Sequence, residues 1–401
     1  MPESVAILNA PQKKRLALFL DGTWNTVSDN TNVWRIKSLC ATRGTDGLKQ
    51  IAYYDSGVGT QFGDRVRGGM LGYGLSANII DAYTWLIDNY ESGDEIFIFG
   101  FSRGAYTARS LAGFVVKCGL LKPGAPLGVG QLYARYRREG EPRTIWKLLD
   151  DERAGSLGEP DLEERWMLRH SQPVPIKLVA VWDTVGALGV PFGSLPGLSR
   201  TTFNFLHTGL RLQIENGYHA LAIDEHREAF APTLWTRNVR GDGTPSAEAR
   251  PLERLEQRWF VGAHANVGGG CLSDLLPQRP LRWIMGKASQ HGLAFRGDVE
   301  IDPGAVACPI ADSFAAFMKG AYRLAKLGRR HHREIGKAPV QIDGTITSTV
   351  NETIDASVFE RWRHGEYRPP NLVDWGRRHR VDPASVKGAV RADDPRVALA
   401  D

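Results

Sequence analysis

The chain has 401 residues, 42% of them hydrophobic, which is enough apolar matter for one large core carrying insertions. Its formal charge of +5 is a mild excess, and no basic run is interleaved with aromatics, so a recognisable nucleic-acid module is excluded. Cys40, Cys118, Cys271 and Cys308 stand far apart with no CxxC pair, which argues against a disulfide framework and a thiolate zinc site. The opening MPESVAILNAPQKKR lacks the basic-then-apolar order of a signal peptide, and the apolar run 16–20 is too short to cross a bilayer. A cytoplasmic protein with reduced thiols is expected, with signal-less secretion and a peripheral contact with anionic lipid headgroups left open.

In chain order, short apolar runs alternate with helical stretches, as in a mostly parallel sheet. Residues 15–20 (RLALFL) read as a buried strand that stops at the turn signal Asp21-Gly22. Residues 50–54 read as a second, weaker strand, followed by a glycine-rich stretch after Gly57. Ser76 is placed to cap a helix through IIDAYTWLIDNY. Residues 95–99 (EIFIF) read as a strand apolar on both faces, and the helix AYTARSLAGFVVKCGL follows at once. Residues 123–172 are polar and charged, a cap or surface excursion with one or two helices. IKLVAVW reads as another buried strand, with Asp183 directly after it.

Residues 189–212 carry Pro191, Phe192, Leu195, Leu198, Phe203, Phe205 and Leu206 with little charge. They suit either a loop packed on the core or a lid forming an acyl-binding wall. HALAIDEHREAF reads as helix, and RWFV at 258–261 as a strand ending near His264. His331 and His332 read as part of a basic surface helix. Beyond Leu372 charge rises and periodicity fades. A catalytic domain over 13–374 is therefore expected, with 375–401 as a peripheral tail.

The chemistry is written at Gly100-Phe101-Ser102-Arg103-Gly104. A GxSxG pentapeptide alone is a weak signal, but this one lies between a buried strand and an apolar-faced helix, as a nucleophile elbow requires. Gly100 and Gly104 let neighbouring backbone approach the serine without a Cβ clash. A serine hydroxyl needs a base and usually a carboxylate, each on a loop at a strand's carboxyl end. Asp183 and His264 meet that demand in the chain order Ser, Asp, His. Asp224 is the second choice of acid, set back because its segment reads as helix. The oxyanion hole is expected from the backbone amide of Arg103 and from Gly22 or Thr23 in the loop after the first strand.

Other chemistries fit less well. LFLDGT is superficially similar to the loop of haloacid-dehalogenase-type phosphatases, but Thr23 stands where those enzymes need a second aspartate. The glycine-rich run lacks GK[ST], so no phosphate-binding loop is expected. His219, Asp224, Glu225 and His226 would be scattered over several faces of a helix, so neither metal nor cofactor is expected.

LFLDGTWN, GFSRGAYTAR, VWDTVGALGVP, HALAIDEHREAF and WFVGAHANVGGG, in that order, resemble an uncharacterised-domain family of α/β hydrolases. That family includes the first class of lipase effectors delivered by bacterial type VI secretion, and the likeness runs from Lys14 to Leu372 through ETIDASVFERW and YRPPNL. It implies an α/β-hydrolase fold, a Ser-Asp-His triad on Ser102, Asp183 and His264, and activity on carboxylic esters, with phospholipids the effectors' substrate class. An effector would also have an immunity or secretion partner. The same machinery would serve a short-chain esterase, a thioesterase or an acyltransferase, and a non-catalytic interaction module is the non-enzymatic alternative.

Overall fold

The computed structural model describes residues 13–22, 30–57, 70–138, 142–185, 212–242, 244–246, 248–270, 274–342 and 345–399. Its strands are β1 (Lys14–Leu20), β2 (Lys49–Asp55), β3 (Glu95–Phe101), β4 (Leu120–Leu121), β5 (Ser171–Gln172), β6 (Leu178–Trp182) and β7 (Gly217–Ala222), then β8 (Thr236–Val239), β9 (Leu255–Phe260), β10 (Val340–Ile342), β11 (Thr345–Thr349), β12 (Glu352–Ile354) and β13 (Val390–Arg391). The helices that position the site are α1 (Asn32–Leu39), α2 (Met70–Asn89), α3 (Arg103–Cys118), α4 (Val129–Arg137), α5 (Ile145–Arg153), α6 (Leu162–His170), α7 (His264–Gly268) and α8 (Gln278–Gln290).

Eight strands form one sheet in the order β13-β12-β9-β7-β6-β3-β1-β2. Every pairing is parallel except β12 with β13. The alternation of side chains along each strand divides the interior into two layers. Leu16, Leu18, Leu20, Ile96, Ile98, Val179 and Val181 meet Ala105, Leu111 and Val115 of α3 on one face. On the other, Ala17, Phe19, Phe97, Phe99 and Trp182 meet Val33 and Ile36 of α1 and Leu281 and Ile284 of α8. Phe19 and Phe99 stack there at 5.0 Å. A sheet covered on both faces explains why these strands read as unbroken apolar runs.

The chain runs from β1 to the sheet edge at β2, then returns to lay β3 on the far side of β1. That reversal opens a crevice at the carboxyl ends of β1 and β3, where ligands bind in open α/β sheets.

Several expectations need correction. HALAIDEHREAF contributes the end of a strand, β7, because Gly217–Ala222 is sandwiched between β6 and β9 and is buried along its whole length. Asp224 therefore does stand just beyond a strand's carboxyl end. Ser76 lies inside α2, whose first turn is at Met70, and its hydroxyl accepts from Tyr133 at 3.5 Å. The 123–172 insertion holds three helices, α4 to α6, and Tyr133 and Tyr136 pack on Phe114 of α3. His331 and His332 lie in irregular chain beyond the helix Ala321–Ala325, not within a helix. Of the suspected lid, residues 189–211 lie outside the described residues.

The tail is not peripheral. Helix Pro370–His379 buries Leu372 and Trp375 completely, and β13 closes the sheet edge against β12. Trp375 Nε1 donates to the Ala392 carbonyl at 2.8 Å, tying helix to strand. Among the described residues no helix is long and apolar enough to cross a membrane. Trp375→Ala should cost about 3–5 kcal/mol in chemical denaturation. A loss under about 1 kcal/mol would return this segment to the periphery.

Candidate active site

Ser102 follows β3 and caps α3, with φ 57 and ψ −120. A non-glycine residue held there costs on the order of 1–3 kcal/mol, a strain that clusters at functional sites. The flanking glycines make the turn sterically possible. A Cβ on Gly100 would lie 2.4 Å from the Gly104 carbonyl oxygen, and one on Gly104 would lie 2.2 Å from that of Leu20. The Ser102 amide donates to the Trp182 carbonyl of β6 at 3.1 Å, which fixes the turn to the next strand.

His264 opens α7, four residues after β9 ends at Phe260. Its Nε2 lies 2.8 Å from Ser102 Oγ, and its Nδ1 2.6 Å from Asp183 Oδ2. The imidazole sits between Phe101 at 4.7 Å and Phe230 at 5.2 Å, and its backbone amide donates to Glu225 Oε2. The chain after β9 is not a simple loop, because the Asn266 side chain accepts from the Ala263 amide and the Asn32 side chain donates to the Val267 carbonyl. These bonds secure a short helix. Gly268 lets α7 press on Phe101, since a Cβ there would lie 1.9 Å from that ring.

Asp183 follows β6 and is fully buried, with φ 38. Its Oδ1 accepts from the Ala222 amide at 3.1 Å and from Arg333 Nη1 at 2.6 Å, and its Oδ2 accepts from Arg333 Nη2 at 3.0 Å. Burial alone would raise this carboxyl's pKa, but the Arg333 charge and the His264 hydrogen bond hold it far below the usual carboxylate range. Sequence reasoning missed Arg333 altogether. Nothing in its local pattern distinguishes a buried arginine from its exposed neighbours Arg329 and Arg330.

Behind Asp183, His219 Nε2 accepts from the Thr184 amide at 3.0 Å, which leaves Nδ1–H to face Gln257 Oε1 at 3.4 Å. Burial and the Arg109 charge push this imidazole down to about 3. Asp224 accepts from the Gly262 amide at 2.8 Å and from the Tyr367 hydroxyl at 2.9 Å, and makes no bond to His264. Burial pushes its carboxyl up to about 6. It serves the join between β7 and β9.

Arg103 leads the first turn of α3, so its backbone amide belongs to the positive end of that helix. Burial lowers its guanidinium to about 10. Gly22 is not brought in as a spare donor, because its amide donates to Asp21 Oδ1 at 2.7 Å. Asp21 also accepts from the Thr31 and Tyr54 hydroxyls, which anchors that loop. Thr23 lies outside the described residues. Among the described residues no group of three metal-binding side chains gathers.

A mostly parallel sheet with a serine on a strained strand-to-helix turn, and an acid and an imidazole beyond later strands, defines the α/β-hydrolase class. Residues 14–287 match the type VI secretion phospholipase effector Tle1-like catalytic domain, and the chain belongs to that family. It is similar to the uncharacterized protein YEL023C of Saccharomyces cerevisiae, 27% identical over 311 residues that cover 70% of this chain and 40% of that one. Among solved structures it is similar to an uncharacterized protein from Pseudomonas aeruginosa, with 17% identity, a TM-score of 0.42 and coverage of 79% and 51%. A second is the Tle1 effector bound to the VgrG spike of the type 6 secretion system, with 16% identity, a TM-score of 0.34 and coverage of 67% and 56%. The chain thus spans 40% of the yeast relative and about half of each solved one.

His219 generates a pH prediction. Its folded value of about 3 lies below the ordinary 6.5, so the unfolded chain takes up a proton that the buried ring refuses. That contribution to stability is intact above pH 6.5 and is lost progressively as pH falls toward 3. Between pH 6.5 and about 5, wild type should lose about 2 kcal/mol more than His219→Gln in denaturant unfolding. Parallel losses in both proteins would contradict the assignment.

Proposed function

We propose that this chain is a serine carboxylic-ester hydrolase acting on lipid acyl esters, with phospholipids the foremost substrates. The observation that carries this reading is the unbroken hydrogen-bond line from Ser102 Oγ through His264 to Asp183 Oδ2, at 2.8 and 2.6 Å. His264 Nε2 takes the hydroxyl proton as Oγ attacks the ester carbonyl, and then gives it to the departing alcohol. Asp183 accepts from Nδ1–H, which selects the tautomer that leaves Nε2 free to act as base. The imidazolium that forms meets a carboxylate that stays ionised throughout.

The tetrahedral oxyanion is stabilised by the Arg103 amide and the positive end of α3. Water, activated by the same imidazole, then hydrolyses the acyl-enzyme. The family's description supplies the phospholipid class. A secretion partner belongs to the same reading, the Tle1 effector having been seen bound to a VgrG spike.

Hydrolysis of short-chain nitrophenyl esters and of phospholipid vesicles tests the proposal. Ser102→Ala should abolish turnover on both, and Asp183→Asn should lower kcat by up to roughly 10⁴. Vesicles should be the preferred substrate. Turnover near wild type in Asp183→Asn, or full activity in Ser102→Ala, would refute the triad. A clear preference for short-chain esters would move the chain to the esterases.

A further inference from the structure

We propose that Arg333 is a positioning residue for the reaction at Ser102, its guanidinium clamping both carboxylate oxygens of Asp183 so that Oδ2 stays aimed at His264. The proposal rests on the triad reading above.

Burial alone makes this arginine unusual. Its side chain is 1% exposed, and a buried cation is costly unless it is paired and hydrogen-bonded. Arg333 meets that condition with an ordered fork. Nη1 donates to Asp183 Oδ1 and to the Ala222 carbonyl at 2.7 Å, while Nη2 donates to Asp183 Oδ2 and to the Phe230 carbonyl at 2.5 Å. Planar bidentate pairing of this kind fixes orientation in a way that a lysine's point charge cannot.

The geometry decides what the clamp does. Oδ2 is shared between His264 Nδ1 and Arg333 Nη2, while Oδ1 is held by Nη1 and the Ala222 amide. With Arg333 in place the carboxylate cannot rotate without breaking its bidentate pair. Without it, Oδ1 keeps one amide and the carboxylate can turn. The Phe230 carbonyl joins the same fork, and the Phe230 ring packs on the imidazole, so one guanidinium braces the acid and a wall of the base's slot.

The clamp is itself well supported. The His331 amide donates to the His226 carbonyl and the Gly336 amide to Glu352 Oε2 of β12, while Ile335 is fully buried. Arg333 lies beyond residues 14–287, where the family match ends. The C-terminal third of the chain thus adds a part to the site.

The clamp also balances charge. Two acids face His264, namely Asp183 against the imidazole and Glu225 against its backbone amide. Each has its own arginine, Arg333 for Asp183 and Arg227 for Glu225. Arg227 lies over the Phe230 ring at 3.4 Å, and His219, behind Thr184, is held neutral by its burial. Removing the Arg333 charge leaves one acid unopposed, which favours the protonated imidazole.

Arg333→Lys and Arg333→Gln, assayed as kcat and KM against pH on a nitrophenyl ester, separate this role from plain structural support. Both variants should lose roughly ten- to hundredfold in kcat with little change in KM. The acid limb of kcat/KM should stay in place for Arg333→Lys and move up by about one pH unit for Arg333→Gln. Folded Arg333→Lys with wild-type kcat would overturn the proposal, even where Arg333→Gln does not fold. So would a folded Arg333→Gln whose profile is unmoved. Wild-type protein with no turnover at all would instead sink the triad reading, and the clamp with it.

Discussion

A fully buried carboxylate governs this site. Asp183 is fully buried, and a charge in that position survives only where positive groups and donors surround it. Here the surroundings are His264, the Ala222 amide and the Arg333 fork. Each ties a different part of the chain to one point: the turn after β9, the end of β7, and the C-terminal segment. The sheet brings these parts to one edge, and the buried charge makes their alignment obligatory.

The serine side of the site depends on packing. Gly100 and Gly104 allow β3, α3 and the end of β1 to meet at distances no Cβ would tolerate. The strain at Ser102 is sustained by that close packing and by the hydrogen bond its amide donates to the Trp182 carbonyl. Because β1 and β3 flank the point where the chain reverses direction across the sheet, the turn faces the crevice that this topology opens.

Much of this was legible in the sequence, for physical reasons. Strands covered on both faces announce themselves as apolar runs, so β1, β3 and β6 could be read, together with the residues at their carboxyl ends. Ser102, Asp183 and His264 stand out as candidates because strand-end positions are visible locally, and the fold brings the three together. What escaped depended on contacts across the fold. β7 reads as helix, since nothing in HALAID records that β6 and β9 will enclose it. Arg333 sits 150 residues from Asp183 and looks like any other member of a basic run. Gly22 could be named as a donor, but its capture by Asp21 is a matter of loop conformation. Trp375 and Val390 stand in a charged stretch where such isolated apolar residues give no sign that they turn inward.

The central claim is that a buried acid, an imidazole and a strained serine form one reactive unit. Mass-spectrometric mapping of the adduct formed with a fluorophosphonate probe tests it most directly. The account predicts a single phosphonylated serine, Ser102, on folded protein at neutral pH. An adduct on a different serine, or none under those conditions, would contradict it.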